Sequence, residues 1–206
     1  MATEGLDFGT PVESATVEMV SPVLATGLTV AAIVLFVALA ALTGWFFARR
    51  CRPAAALPRL ATLPAPLPLV ILLLVIGMLV VQGFAVADVY VQTKVVQPSA
   101  HDYFQAISSA RLLGMSHAHV FGFFFMYGSL AALGAASRLS PQAKCYLAAL
   151  PLWGGLFDVV SWWGLKFIGP QFDWLAMATG SASATVTLIF VASVVRDVLG
   201  PLPEKS

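Results

Sequence analysis

Two histidines that stand two positions apart, His117 and His119, are the residues of this sequence best suited to chemistry. A neutral imidazole can bind haem iron or a transition metal through one ring nitrogen while a carbonyl group or water holds the other. Ser116 is a good N-cap residue, which predicts that both histidines lie in the first turn of a helix. Because positions two apart on a helix point about 200° away from each other, both rings cannot reach one ion. We therefore expect one ring, that of His119, to face the interior of a bundle.

A haem site is the first hypothesis for His119. Gly122 and Met126 follow it on the same helix face and leave room there for a flat ligand. His101 could supply a second axial ligand from the preceding connector. The sequence thus predicts haem b on His119, with His117, His101, Gly122 and Met126 as further candidate cofactor-binding residues. The alternative is that the histidines only form hydrogen bonds in interfacial water.

Two acidic residues, Asp88 and Asp158, stand inside apolar stretches. A charged side chain at the centre of a membrane helix costs about 3 kcal/mol on insertion scales, so such residues usually have a function. We expect both in the outer half of the membrane, at the depth of the histidines. There His117, His119, Asp158 and Asp88 could form a copper or zinc site. Alternatively, Asp158 is protonated or bonded to Ser161 and only ties helices together.

Helices that cross a lipid bilayer must position these residues. Hydrophobic residues make up 59% of the 206 residues and charged residues only 10%, whereas a soluble domain has about 25% charged residues. A span needs about 20 apolar residues, and only a helix satisfies its own backbone in lipid. We predict an all-α integral membrane bundle with five transmembrane helices, at about 23–47, 67–91, 117–137, 144–167 and 173–195.

The connectors complete the predicted organisation. An acidic tail (1–22) precedes the first span, a Pro/Arg-rich linker (48–66) separates that span from a four-helix core (67–195), and a short tail (196–206) follows. Ser99 and Asp102 resemble a capping box, which predicts an amphipathic outer helix near 100–113.

Two further patterns predict packing rather than chemistry. Gly180 and Ala184 form a small-xxx-small step, which favours close contact between membrane helices. Trp162, Trp163 and Trp174 cluster near one membrane surface and predict an aromatic belt.

Basic residues predict the orientation of the bundle. Eight flank one side (Arg49, Arg50, Arg52, Arg59, Arg138, Lys144, Arg196 and Lys205) and three flank the other (Lys94, Arg111 and Lys166). The positive-inside rule then places the N-terminus outside and the C-terminus in the cytoplasm, as for a multi-pass protein of a bacterial inner membrane. The N-terminal tail has acidic residues where a signal peptide needs basic ones, so we expect the first span to be retained. A net charge of +1 excludes a nucleic-acid partner.

The run from Ala110 to Gly122 (ARLLGMSHAHVFG), together with Asp158 to Trp163 (DVVSWW), resembles a group of small bacterial inner-membrane proteins. These proteins have a four-helix core, a His-x-His helix start and an Asp-x-x-Ser-Trp-Trp element in the next helix. The resemblance covers about 67–195. Its motifs are similar to those of haem-binding respiratory proteins, which implies a site at His117, His119 and Asp158.

Three functions fit these patterns. The leading one is a membrane-bound b-type haem protein, or haem-bearing subunit, that carries electrons between quinol and an extracytoplasmic acceptor. The second is a cofactor-free accessory or assembly subunit of a respiratory or photosynthetic membrane complex. The third is a copper or zinc protein. The sequence has neither a phosphate-binding loop nor a pair of a nucleophile and a base, so no motif predicts an enzyme.

Overall fold

A computed structural model describes residues 20–50 and 60–200, and in these ranges all regular secondary structure is helical. The main helices are α1 (Pro22–Arg50), α2 (Leu67–Tyr90), α3 (Ala100–Ala106), α4 (Ser109–Ala135), α5 (Pro141–Phe167) and α6 (Asp173–Leu199). A π-helical turn (Val91–Val96) extends α2, and short 3-10 turns (Leu60–Thr62 and Pro170–Phe172) precede α2 and α6.

The five predicted spans are confirmed. Within the described residues, α1, α2, α4, α5 and α6 are each long and apolar enough to cross a membrane. The chain is therefore a multi-pass membrane protein whose helices contact the lipid bilayer. We call the end that carries α3 the outer end and the opposite end the cytoplasmic end, following the predicted orientation.

Helix α5 lies at the centre of the bundle and packs against α1, α4 and α6. Small residues on α5 allow this close approach. A Cβ atom added at Gly155 would overlap the ring of Phe123 on α4, and one added at Gly154 would overlap the Ser183 hydroxyl on α6. Helix α2 is peripheral, since only Val75 and Met78 of its side chains are buried.

The buried side chains form two cores, one toward each end. The outer core includes Phe104, Phe157 and Trp162. The cytoplasmic core includes Leu130 and Phe190. The 3-10 turn before α2 belongs to the cytoplasmic core, because Leu60 is buried there. Residues 1–19 of the predicted tail and 51–59 of the predicted linker lie outside the described residues.

Two predictions about the outer connector need correction. The predicted capping box is present, since Ser99 Oγ accepts a hydrogen bond from the Asp102 amide at 3.1 Å. The helix that it opens ends at Ala106, however, and does not continue to 113. Ser108 then caps α4, so Ser116 lies inside that helix and not at its N-terminus. The apolar face of α4 already begins before the histidines, toward the outer surface, so the helix starts earlier than predicted.

Candidate functional site

His119 lies on the face of α4 that meets α5. Its Nδ1 atom is 2.8 Å from the carbonyl oxygen of Met115, one turn earlier. Because a carbonyl oxygen only accepts hydrogen bonds, Nδ1 donates, and the neutral ring keeps its lone pair on Nε2. A backbone carbonyl holds many metal-binding histidines in this tautomer. His119 is an exposed residue, and Nε2 is the ring nitrogen that would be left to bind a ligand.

Aromatic rings fix the orientation of this imidazole. The edge of His119 packs against Trp162 of α5 at a centroid distance of 4.7 Å and against Phe123 at 5.8 Å. Phe123 in turn stacks on Tyr127. The ring of His119 therefore contacts α5, but the residue is exposed and is not enclosed in the interior of the bundle.

Trp162 connects this face to the outer helix α3. Its ring stacks on Phe104 at 5.8 Å while His119 packs against it in an edge arrangement. Trp162 is buried, so it belongs to the core and not to the predicted aromatic belt, whereas Trp174 is 67% exposed, as an interfacial residue would be. Trp163 donates a hydrogen bond from its indole nitrogen to Ser116 Oγ at 2.9 Å. Position 116 thus ties α4 to α5 just before the histidines.

The other predicted residues on α4 have different surroundings. Gly122 is exposed, and a Cβ atom placed there would meet nothing within 4 Å, so the space beside the helix is open. Met126 is half-buried and packs against the cytoplasmic core. His117 is exposed. Only His119 of the histidine pair contacts α5 through its ring.

His101 helps to join α3 to α5. Its Nδ1 lies 2.7 Å from the carbonyl oxygen of Leu165 near the end of α5, so this nitrogen donates and Nε2 is left for any ligand. Gln105 donates to the carbonyl of Lys166 at 2.8 Å. In return, the Lys166 ammonium donates to the Phe104 and Ile107 carbonyls at the end of α3. The two helices therefore cap each other.

Asp158 belongs to a polar cluster between α4, α5 and α6. Its carboxyl group interacts with the side chain of Thr179, and the Tyr127 hydroxyl interacts with Ser183. Asp158 is also close enough to Tyr127 for an electrostatic interaction. The Ser161 hydroxyl donates to the backbone carbonyl of Asp158 at 2.5 Å, so the predicted bond to Ser161 involves the backbone and not the carboxyl group.

Asp88 is exposed on the peripheral helix α2. Among the described residues, no group of three or more His, Cys, Asp or Glu side chains is placed to hold a metal ion. The copper or zinc hypothesis thus stays a prediction. Of its four proposed ligands, Asp158 interacts with Thr179, the ring of His119 packs against Trp162, and His117 and Asp88 are exposed.

The polar cluster contains residues that the sequence patterns did not single out. Tyr127 lies two turns after His119 on α4, a spacing that could have indicated a shared face. The small-residue step of α6 was assigned to Gly180 and Ala184, but Gly180 is exposed with nothing within 4 Å of an added Cβ. Thr179 and Ser183, one position earlier, are the buried contact residues. This part of the packing prediction was wrong by one position, which on a helix is a rotation of about 100°.

Comparison with known proteins gives one match. No curated protein and no solved structure matches the chain. Residues 84–202 match the family model Aq_1264_TM, described as a transmembrane helical domain. This segment begins near the end of α2 and includes α3 to α6, and therefore both the histidine pair and the polar cluster. Because the match covers more than half of the sequence, the chain belongs to the Aq_1264_TM family of transmembrane helical domains.

Proposed function

We propose that this chain is a haem-bearing subunit of a bacterial inner membrane, and that it carries electrons between quinol and an extracytoplasmic acceptor. The observation that carries the proposal is His119: an exposed histidine on a membrane helix, whose Nδ1 is bonded to a carbonyl so that Nε2 keeps the lone pair. This is the tautomer that an axial haem ligand requires.

The surroundings of His119 fit a flat cofactor on one side. Open space lies beside Gly122, one turn further along α4. The rings of Trp162 and Phe123 contact the imidazole edge and prevent its rotation. An imidazole facing acyl chains alone would lose the hydrogen bonds of water, which favours a ligand or a protein surface at this position. The haem would supply the one-electron chemistry, and His119 would hold its iron.

His101 fits a second axial ligand less well. Its Nδ1 bond to Leu165 holds α3 on α5, so a movement of the ring would disturb that contact. We therefore propose His119 as the ligand that the chain itself supplies. The second position would be filled by His101 through Nε2, by a partner subunit or by an exchangeable ligand.

The absorption spectrum of the full chain tests the proposal. The protein is extracted in mild detergent from haem-sufficient bacterial cells, and spectra are recorded in the oxidised and reduced states. We expect a Soret band and reduced α and β bands in the wild type. His119→Ala should abolish them, and His117→Ala is the matched control, since it removes an exposed imidazole two positions away that should not bind iron. A wild type without a Soret band, or equal loss in both variants, would overturn the proposal.

A second candidate is a cofactor-free accessory subunit of a larger respiratory or photosynthetic complex. The side of α4 that no described helix covers carries His117, Phe121 and Phe125, so polar and aromatic groups share one lateral face. A protein surface would satisfy that mixture better than lipid. If a native gel of gently solubilised membranes shows a larger assembly, and the purified assembly lacks both haem and bound copper or zinc, this candidate replaces the first.

A further inference from the structure

A groove lies at the cytoplasmic end of the bundle, away from the histidine site. It opens between the end of α4 and the last turns of α6 and encloses a volume of about 330 Å³. Its lining includes Arg138, Ile189, Ala192, Ser193, Arg196 and Asp197. The groove thus combines two cations, one carboxylate and an apolar stripe.

Asp197 is the unusual member of this set. Its side chain is 2% exposed, and Oδ1 lies 2.9 Å from Nε of Arg138. Apart from this ion pair, neither carboxylate oxygen has a hydrogen-bond partner in the described part of the chain. A buried carboxylate needs N–H or O–H donors on its remaining lone pairs, because an unsatisfied charge is costly away from water. The groove therefore offers a strong acceptor to a ligand with N–H donors.

Arg196 supplies the complementary charge. It is exposed on the same groove, and a guanidinium binds phosphate through two parallel N–H bonds. Ala192 and Ile189 lie one and two turns before Arg196 on α6 and are both exposed. They continue the groove from the helix end toward the centre of the bilayer.

A ligand that matches all three features has a primary ammonium group, a phosphate and an acyl chain. We propose that the groove binds a phospholipid with an ethanolamine headgroup from the cytoplasmic leaflet. Its ammonium donates to Asp197, its phosphate accepts from Arg196 and Arg138, and an acyl chain follows Ile189 and Ala192. A phospholipid without the ammonium group would leave Asp197 unsatisfied, and a soluble amino phosphate would not use the apolar stripe.

Lipid titration of the full chain, followed by native mass spectrometry, tests this assignment. Phosphatidylethanolamine and phosphatidylcholine with identical acyl chains differ only in the N-methyl groups that remove the N–H donors. We expect the ethanolamine lipid to bind about tenfold more tightly, which corresponds to ~1.4 kcal/mol. Equal affinity of the two lipids in the wild type would overturn the proposal without any variant.

Two variants assign the contacts. Asp197→Asn should abolish the preference for ethanolamine over choline, and Arg196→Gln should weaken both lipids while it keeps the preference. Arg49→Gln is the control, because Arg49 is a cation at the same membrane surface that packs over Trp45 and does not line the groove. If Asp197→Asn does not fold, the wild-type preference and the Arg196→Gln result still decide. Competition by free phosphoethanolamine as strong as by the lipid would show a soluble ligand and overturn the lipid assignment.

Discussion

The two ends of the bundle join their helices by different means. At the outer end, Lys166 donates to carbonyl groups at the end of α3, while His101 and Gln105 donate to carbonyls at the end of α5. At the cytoplasmic end, α4 and α6 meet through the Arg138 and Asp197 ion pair. The outer end thus relies on side-chain donors to backbone acceptors, whereas the cytoplasmic end has an ion pair in addition to one such bond, from Lys144 to the Ala135 carbonyl.

This difference decides where each end can accept a ligand. The caps at the outer end satisfy helix-terminal carbonyls within the chain, and the exposed His119 on the nearby face of α4 keeps the lone pair of Nε2, which suits a metal. At the cytoplasmic end the buried carboxylate of Asp197 has more acceptor capacity than Arg138 uses. A lipid headgroup with N–H donors could bind to these remaining acceptor positions. We therefore expect that removal of the caps between helices at the outer end mainly lowers the stability of the protein, and that removal of the charges at the cytoplasmic end mainly weakens ligand binding.

Replacement of Lys166 should give the largest loss of stability. Lys166→Met would leave the Phe104 and Ile107 carbonyls at the end of α3 without their ammonium donor. A buried acceptor without a partner costs about 1–3 kcal/mol, and because these two contacts are part-buried we expect a loss of about 1–2 kcal/mol. Unfolding in mixed micelles with increasing denaturing detergent measures it.

Lys144→Met is the matched control for that variant at the cytoplasmic end. Lys144 also donates to a helix-terminal carbonyl, that of Ala135, at 2.7 Å, but this contact is exposed. Water can replace an exposed donor, so the expected change is within about 0.5 kcal/mol. Equal losses for the two lysine variants would remove the distinction between the two ends.

The hydrogen bond between Trp163 and Ser116 should have an intermediate effect. Ser116→Ala removes the acceptor of the indole N–H beside the histidine pair. Interhelical hydrogen bonds in membranes contribute about 0.6 kcal/mol on average and at most about 1.7 kcal/mol, so we expect a loss near ~1 kcal/mol. A double-mutant cycle with Trp163→Phe isolates the coupling.

The same cycle on Thr43 and Trp153 tests whether this effect belongs to the outer end. Trp153 donates to Thr43 Oγ1 at 3.0 Å and joins α5 to α1. Thr43 is only half-buried, whereas Ser116 is buried. We therefore expect a weaker coupling there, and a stronger one would contradict the view that the outer end is the more tightly bonded.

The helices were predictable because charge-free stretches of membrane length permit few alternatives. The boundary between α3 and α4 was not, since Ser108 and Ser116 are both serines before apolar residues and sequence alone does not rank them as caps. Ser116 is buried against Trp163 of another helix, and that contact is invisible in a local pattern.

For the site residues, too, local features could be predicted and contacts between helices could not. The direction of His119 could be predicted from helical periodicity, which is a local property. The neighbours of Asp158 could not, because they depend on which helices are adjacent: α6 supplies Thr179, whereas α2, which carries Asp88, is peripheral. Asp197 was assigned to the tail because the charge-free stretch ends at Val195, and its pairing with Arg138 could not be read from a local pattern.

Serine caps that act within a single helix should have local effects. Ser99→Ala removes both the bond from the Asp102 amide and the hydroxyl donor to the Asp102 carboxylate. Loss of an N-cap costs about 0.5–1 kcal/mol, and α3 has only seven residues, so this cost should open α3 locally. Ser140→Ala removes the corresponding bond to the Ala143 amide, but α5 is long and central, so only its first turn should fray. Hydrogen exchange should therefore rise throughout α3 in the first variant and only at 141–143 in the second, while Ser99→Thr restores protection. Uniform exchange across both helices would mean that α3 is not held by its cap, and that the contacts with α5 alone keep the outer end closed.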